Sequence, residues 1–420
     1  MSSKEILFVH PSSPMLEIQK MVPPLGSLQL TAVLRQVGFE PEILDIGDDP
    51  VPTERLIKAD HLLFSSTTPQ YSEALKIIKP ILEEKRKSGR ENPIMAIGGP
   101  HATYMKEKLL KDGWNYVCSG DGEEIIVSLI EGKTNEGLVI GKRVKDLNEL
   151  PIPSYDILDP NTYKRSADYK STFPIMTSRG CPNNCAFCYK MDGRIVRFHS
   201  PDYVKSLAVA IKNCGVEQVV IYDDTFTLNQ DRVVEICEKI KRLGITWRCN
   251  GSVNTLVSNK TKKVEMLTKM KDAGCALIAV GVDGPDQESL DFLEKGTKID
   301  DCKKSIFEIK NSGILAKAYL VYIPGMGFKY TQNAKEFIKE TEPDFIQLSV
   351  LMPIPGSNIY EHPDKYNIFI DKSKPDELYY QTKSGEFGDA GLLNEEDKNA
   401  LDDLNCFLDK WKQTKPQMPI

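Results

Sequence analysis

Short apolar runs alternate along this chain with longer stretches whose apolar residues recur every three or four positions, and the alternation occurs in two separate blocks. In the first block the short runs fall at 5–9, 42–45, 61–65, 94–97 and 116–118, and a helical stretch follows each. Strand then helix, repeated, predicts a parallel sheet covered by helices. Five such strands predict a doubly wound, Rossmann-like α/β domain over 1–132, with ligands at the carboxyl ends of the strands. Residues 133–172 are broken by Pro151, Pro153 and Pro160 and keep no period, so they are expected to cross between domains.

In the second block strands are expected at 174–177, 218–222, 246–250, 277–282, 317–322 and 345–351. Helices are expected near 201–213, 230–243, 260–273, 286–294, 301–312 and 331–341. Several of these helices run into a glycine, at Gly215, Gly244, Gly274 and Gly313, the residue that most easily ends a helix. Six repeats predict a partial (β/α)6 barrel over 173–360, again with its chemistry at the carboxyl ends of the strands. Residues 361–420 form a short C-terminal extension with one helix at about 395–412.

At 420 residues the chain has room for two or three cores. Its 54 Lys and Arg against 60 Asp and Glu are mixed along the chain, with no long basic stripe to follow a phosphate backbone. Nucleic acid is therefore not the expected partner. The first apolar run is stopped by His10-Pro11, too early for a signal peptide or a membrane span, and a cytoplasmic location is expected. Seven of the ten cysteines, at 118, 214, 237, 249, 275, 302 and 406, are scattered singly and read as free thiols.

The other three stand together in Ser178-Arg-Gly-Cys-Pro-Asn-Asn-Cys-Ala-Phe-Cys-Tyr189. A zinc ribbon would bring four ligands in two pairs, and a bacterial ferredoxin a fourth cysteine close behind. Cys181, Cys185 and Cys188 alone can hold three irons of a [4Fe-4S] cube and leave the fourth open; the alternative is a zinc site completed by His199. The spacing Cys-x3-Cys-x-Phe-Cys resembles the signature of the radical S-adenosylmethionine (SAM) superfamily. That resemblance implies that SAM chelates the open iron, with Phe187 against the adenine and Tyr189 beside the cofactor. Tyr222-Asp-Asp-Thr-Phe226 resembles the family's Asp-Asp-x-Phe segment and implies that Asp223 and Asp224 hold the SAM ammonium; the alternative is a cap for the helix starting near Asn229. Asp283, in Gly281-Val-Asp-Gly284, replaces the family's usual glutamate as a shorter SAM contact. Arg248 stands at a strand end, for SAM, for substrate or for a surface ion pair, and Lys295-Gly296 reads as helix-terminus chemistry.

The loops that end the first block's strands are His10-Pro-Ser-Ser13, Ser65-Ser-Thr-Thr-Pro69, Gly98-Gly-Pro-His-Ala-Thr103 and Ser119-Gly-Asp-Gly-Glu123. Glycines and small hydroxyl residues let the backbone approach a large ligand closely. With Pro23-Pro-Leu-Gly26, this layout resembles the cobalamin-binding domain that precedes the barrel in one branch of radical SAM enzymes. The resemblance implies cobalamin contacts from His10, Ser12, Ser65, Ser66, Thr67, Gly98, Gly99, His101, Ser119, Gly120, Gly122 and Glu123. The Asp-x-His-x-x-Gly motif is absent, so cobalamin is expected base-off with no histidine below cobalt. The alternative is an inherited fold that no longer binds it.

Together the resemblances imply a cobalamin-dependent C-methyltransferase acting on an unactivated carbon through a 5'-deoxyadenosyl radical and methylcobalamin. An external electron donor, flavodoxin or ferredoxin, is implied as well. Each cofactor edge is expected to face a shared substrate cavity. The short extension points to a peptide or protein substrate, as in the glutamine C-methylation of methyl-coenzyme M reductase. A radical cyclase or rearrangement enzyme of the tetrapyrrole or lipid-ring type, and a non-catalytic cofactor-binding sensor, are the alternatives.

Overall fold

The computed structural model of the chain describes residues 4–14, 16, 18–164, 170–258, 260–370 and 392–415, with the backbone of 380–381 and 387–388. The chain divides into two compact units, one built mainly on the residues up to 165 and the other on those from 166.

The first unit is a six-stranded parallel sheet. Its strands are β1 (Ile6–His10), β2 (Glu42–Asp45), β3 (His61–Ser65), β4 (Ile94–Gly98), β5 (Tyr116–Ser119) and β6 (Gly137–Ile140), in the order β2-β1-β3-β4-β5-β6. The direction of winding reverses between β1 and β3, the place where doubly wound sheets open a crevice. Alternation along β1 explains the two faces. Leu7 and Val9 pack with Ile77, Ile78 and Ile81 of α3 (Thr68–Ser88), while Ile6 and Phe8 pack with Leu34 of α1 (Leu25–Gln36) and Leu129 of α6 (Ile126–Ile130). Each fully buried aliphatic side chain contributes about 2 kcal/mol.

The sixth strand corrects the expectation of five. β6 lies in the stretch read as a linker, where only Leu138-Val139-Ile140 is apolar and Gly137 precedes it, too little pattern to distinguish an edge strand.

The second unit is a six-stranded parallel sheet in plain sequence order: β7 (Thr172–Ile175), β10 (Gln218–Ile221), β11 (Thr246–Gly251), β12 (Cys275–Asp283), β13 (Leu315–Tyr322) and β14 (Phe345–Val350). Successive strands lie side by side, as in a partial barrel. A two-residue ribbon, β8 (Ser178–Arg179) with β9 (Arg197–Phe198), closes off the cysteine stretch and was not expected. α7 (Pro201–Asn213) matches its prediction because both ends are marked: Ser200 Oγ accepts the Tyr203 N–H at 3.2 Å, Pro201 opens the first turn, and Gly215 follows the last. Val204, Leu207, Ala208 and Ile211 give it one buried stripe.

β7 ends two residues earlier than expected because Thr177 turns its N–H to a side chain, Asp223 Oδ1, at 2.5 Å. Pro174 is tolerated there because β7 is an edge strand. The helix expected at 395–412 is present as α15 (Glu395–Lys412), capped reciprocally by Asn394 and Asp397. It is more than a loose extension. The buried Asp397 carboxylate accepts the Tyr322 hydroxyl at 2.7 Å and the Gly325 N–H at 2.9 Å, fixing the loop after β13. Among the described residues, no helix is long and apolar enough to cross a membrane.

Candidate cofactor sites

The three cysteines sit on a loop between β8 and β9, and backbone bonds pin it at several points. Cys181 donates its N–H to Gly193 O at 3.1 Å, Ala186 to Leu293 O at 2.9 Å, and Ile359 to Ala186 O at 3.0 Å. Gly180 is required here: its φ is +100°, and a Cβ would lie 2.7 Å from Ile195 O. Cys185 is buried, Cys181 half-buried and Cys188 exposed. Burial raises the Cys185 thiol pKa, an effect the Lys295 charge opposes. Burial also pushes Cys188 up to about 12, and the neighbouring Cys185 thiol adds to the rise. Such thiols become thiolates when a cationic metal binds them.

Among the described residues no three His, Cys, Asp or Glu are spaced to hold a single ion. A cube differs in that each thiolate binds its own iron, so the sulfurs need not converge. His199, the fourth ligand of the zinc alternative, is buried with its ring stacked on Tyr203 at 4.0 Å.

Beneath the loop lies a polar brace built on Asp223. This carboxylate is fully buried and accepts the Thr177 N–H at 2.5 Å and the Thr177 and Ser178 hydroxyls at 2.6 Å each. With those three donors Asp223 fixes the entry to the cysteine loop. Burial raises its pKa, while the three donors and the charge of Arg232 oppose the rise. Arg232 of α8 (Gln230–Ile240) donates to Thr177 O at 2.7 Å and to His199 O at 3.0 Å. Neither aspartate caps that helix, since Asn229 does, accepting the Arg232 N–H at 3.1 Å. Asp224 is exposed and remains available to a ligand; burial of its inner side and the nearby charges of Asp192 and Asp223 raise its pKa.

Phe187 and Tyr189 are half-buried on the loop itself. Arg248, on β11, is half-buried with its Nε out of water and without a hydrogen-bond partner, and its charge lowers the pKa of Tyr222 and Tyr319 against the larger effect of their burial. The surface ion pair considered for it is not formed among the described residues. Asp283, the shorter SAM contact expected on β12, is buried and paired with Lys295. Lys295, read from sequence as a helix terminus, is the partner of Asp283 in this pair. Nothing local marks it, because the contact spans twelve residues.

In the first unit the carboxyl edge is built differently. Ser66 is buried; its N–H bonds Gly98 O and its carbonyl accepts the His101 N–H, both at 3.2 Å, yet its hydroxyl has no partner. Gly99 has φ +88°, and a Cβ there would meet Ser65 Oγ at 2.9 Å; at Gly120, φ +89°, it would meet Gly141 O at 2.3 Å. Thr67 is exposed and gives its hydroxyl hydrogen to Gln70 Oε1 at 3.0 Å. Ser12, Ser65, Gly98, Gly122 and Glu123 are half-buried along the same edge, and Ser119 is buried.

The two histidines separate. His101 is 2% exposed, stacks on Tyr71 at 4.2 Å and bonds Thr68 Oγ1 at 3.1 Å, so it packs inward instead of contacting a ligand. Burial, helped by Lys108, lowers its pKa to about 3. His10 stays half-exposed with Nε2 3.3 Å from Gln70 Nε2, and burial lowers its pKa against the pull of Asp45. Asp45 also bonds the Tyr163 hydroxyl, an arrangement no sequence motif announced.

Comparison with known proteins agrees with both edges. The model of the Radical SAM superfamily matches residues 175–338, and that of the B12 binding domain matches 14–130. The chain carries a B12-binding domain and a radical SAM domain. Its relatives include an uncharacterized methyltransferase, PH0819, of Pyrococcus horikoshii, 28% identical over 83% of this chain and 80% of the relative. The anaerobic magnesium-protoporphyrin IX monomethyl ester cyclase of Cereibacter sphaeroides is 26% identical over 85% of this chain and 63% of its own. Among solved structures, the cobalamin-dependent SAM radical enzyme OxsB superposes with a TM-score of 0.75 at 15% identity, over 97% of this chain and 66% of its own. TsrM from Kitasatospora setae gives 0.64 at 17%, over 86% and 76%. These likenesses show a shared fold, and the chain spans about two thirds of the length of OxsB and of the cyclase.

A radical SAM domain and a B12-binding domain imply a [4Fe-4S] cluster, SAM and cobalamin, and the side chains present fit them. Three cysteines on one braced loop suit a cluster with an open iron. A cradle without Cβ atoms, with an unpartnered Ser66 hydroxyl, suits a large ligand rich in amide groups.

Proposed function

We propose that this radical SAM protein transfers a methyl group to an unactivated carbon of a peptide or protein side chain, such as a glutamine of methyl-coenzyme M reductase. The observation that carries methyl transfer is the union in one chain of a braced three-cysteine loop and a B12-binding sheet edge, shared along most of its length with a relative named a methyltransferase. When bound, cluster and SAM supply a 5'-deoxyadenosyl radical that abstracts hydrogen, and cobalamin supplies the methyl group.

The chain's own share is positioning and exclusion of water. Cys181, Cys185 and Cys188 bind iron, Phe187 and Tyr189 flank the adenine, and Asp224 and Arg248 address the charged ends of SAM or the substrate. His10, Ser12, Ser65, Ser66, Thr67, Ser119 and Glu123 offer polar contacts to cobalamin, and Gly98, Gly99, Gly120 and Gly122 give it room. No general base is required, because the hydrogen leaves as an atom. A reduced flavodoxin or ferredoxin would supply the two electrons of each turnover, one for SAM cleavage and one to return cobalamin to the state that takes a methyl group from a second SAM.

A second reading, radical cyclisation of a tetrapyrrole, is favoured by the cyclase relatives. Product mass separates the two. The reconstituted protein, given cobalamin, SAM and a reductant anaerobically, is offered a cell extract. Methylation adds one carbon from SAM to a peptide; a tetrapyrrole product without added carbon would overturn the proposal in favour of cyclisation.

A further inference from the structure

Lys295 and Asp283 form an ion pair that is almost wholly enclosed, with side chains 14% and 8% exposed. The chain makes room for it. Gly281 has no side chain where a Cβ would come within 3.1 Å of Lys295 Nζ and 3.2 Å of Asp283 Oδ2. Asp283 itself adopts φ +67°, a left-handed backbone that costs on the order of 1 kcal/mol or more. The pair adjoins the cluster loop: Leu293, two residues before Lys295, accepts the N–H of Ala186, the neighbour of Cys185. Both charges are felt at Cys185, with opposite sign. Burial works against the Lys295 charge, but Asp283 and the Cys185 thiol outweigh it and raise its pKa. A buried ion pair is a poor source of stability, because desolvation offsets most of the attraction. Strain and enclosure beside a cluster ligand therefore point to a different role.

We propose that Lys295 and Asp283 set the reduction potential of the cluster held by Cys181, Cys185 and Cys188, Lys295 raising it and Asp283 limiting the rise. This rests on the radical SAM reading above. In the step concerned, an external one-electron donor is oxidised by one electron and the cluster is reduced by one. No proton moves and no protein bond breaks. The added negative charge is stabilised by a fixed cation at short range where little water intervenes, and cluster potentials respond to local charge and exposure. Lys295 and Asp283 act through Cys185 and are positioning residues in this sense.

The test is a redox titration of the anaerobically reconstituted full chain, followed by electron paramagnetic resonance, with iron and sulfide content measured alongside. The midpoint of Lys295→Met should move to more negative potential and that of Asp283→Asn to more positive, while Lys295→Arg stays near wild type. Asparagine tolerates a left-handed backbone well, so Asp283→Asn keeps the test alive if Lys295→Met does not fold. Full iron content with unmoved midpoints in Lys295→Met and Asp283→Asn, or a shift of the same sign in both, would overturn the proposal. A wild-type chain that takes up no cluster would instead overturn the radical SAM reading on which it rests.

Discussion

Both units place their candidate sites at the carboxyl edge of a parallel sheet, but they furnish that edge with opposite chemistry. In the first, the edge is made of backbone and small hydroxyls, with Gly99 and Gly120 in left-handed conformations and the Ser66 hydroxyl unpartnered. In the second, buried charges tie down a loop: Asp223 and Arg232 beneath its entry, Asp283 and Lys295 beside Cys185. A large neutral ligand is met by shape and many weak hydrogen bonds. A metal cluster needs a few ligands held against a strong, directional pull, and buried charge supplies that rigidity. The same fold principle thus accepts two kinds of precision.

The comparison breaks most severely if the cysteine loop is not the metal site. Alanine at Cys181, Cys185 or Cys188 is expected to abolish iron loading and SAM cleavage. Cys214→Ala is expected to be silent, since its thiol donates to Ala210 O at 3.3 Å and stands outside the cysteine loop. Iron analysis and deoxyadenosine yield on the four variants decide this, and an active triad variant would refute the assignment. Next in size, Asp223→Ala leaves Thr177 and Ser178 without their acceptor and should destabilise the second unit by about 3 kcal/mol, with poor cluster retention. Asp224→Asn should leave stability and iron unchanged and weaken SAM binding. Thermal unfolding and SAM titration would show whether the two neighbours differ in this way.

Acid should act on the first unit in particular. His101 is held near pKa 3 against 6.5 when unfolded, so between these values the unfolded chain binds the extra proton and stability falls as pH falls. Going from pH 7 to pH 5 should cost about 2 kcal/mol through this residue alone. His101→Gln should flatten the dependence of the unfolding midpoint on pH over that range; an unchanged slope would contradict it. A smaller effect is expected from Gly99→Ala, which meets Ser65 Oγ and raises backbone strain. It should weaken cobalamin binding by about tenfold, or 1.4 kcal/mol, while deoxyadenosine formation at the cluster persists. Equal loss of both activities in a folded variant with full iron would show that the two edges are not separable. The smallest effect expected is none: cob(II)alamin bound to the protein should show no nitrogen superhyperfine splitting from a protein histidine, before or after His10→Ala. His101 is already engaged with Thr68 and Tyr71.

The sequence by itself determined the elements and the candidate metal ligands, because both are written in short-range pattern. Period and capping residues place α7 and α15, and the spacing of Cys181, Cys185 and Cys188 lies within eight residues. Loops after strands mark the ligand edges for the same reason, since strand direction follows from the alternation of strand and helix. What the tertiary structure alone decided involves pairs far apart in the chain. Asp223 reaches Thr177 across 46 residues, and Asp397 reaches Gly325 across 72. Two adjacent aspartates, Asp223 and Asp224, look interchangeable in sequence, yet the segment that follows β10 buries one and exposes the other. The histidine of Gly98-Gly-Pro-His101 likewise falls on the inner face of its helix. Burial depends on which face meets a neighbour, and a charge finds its partner only when the sheet brings distant strand ends together.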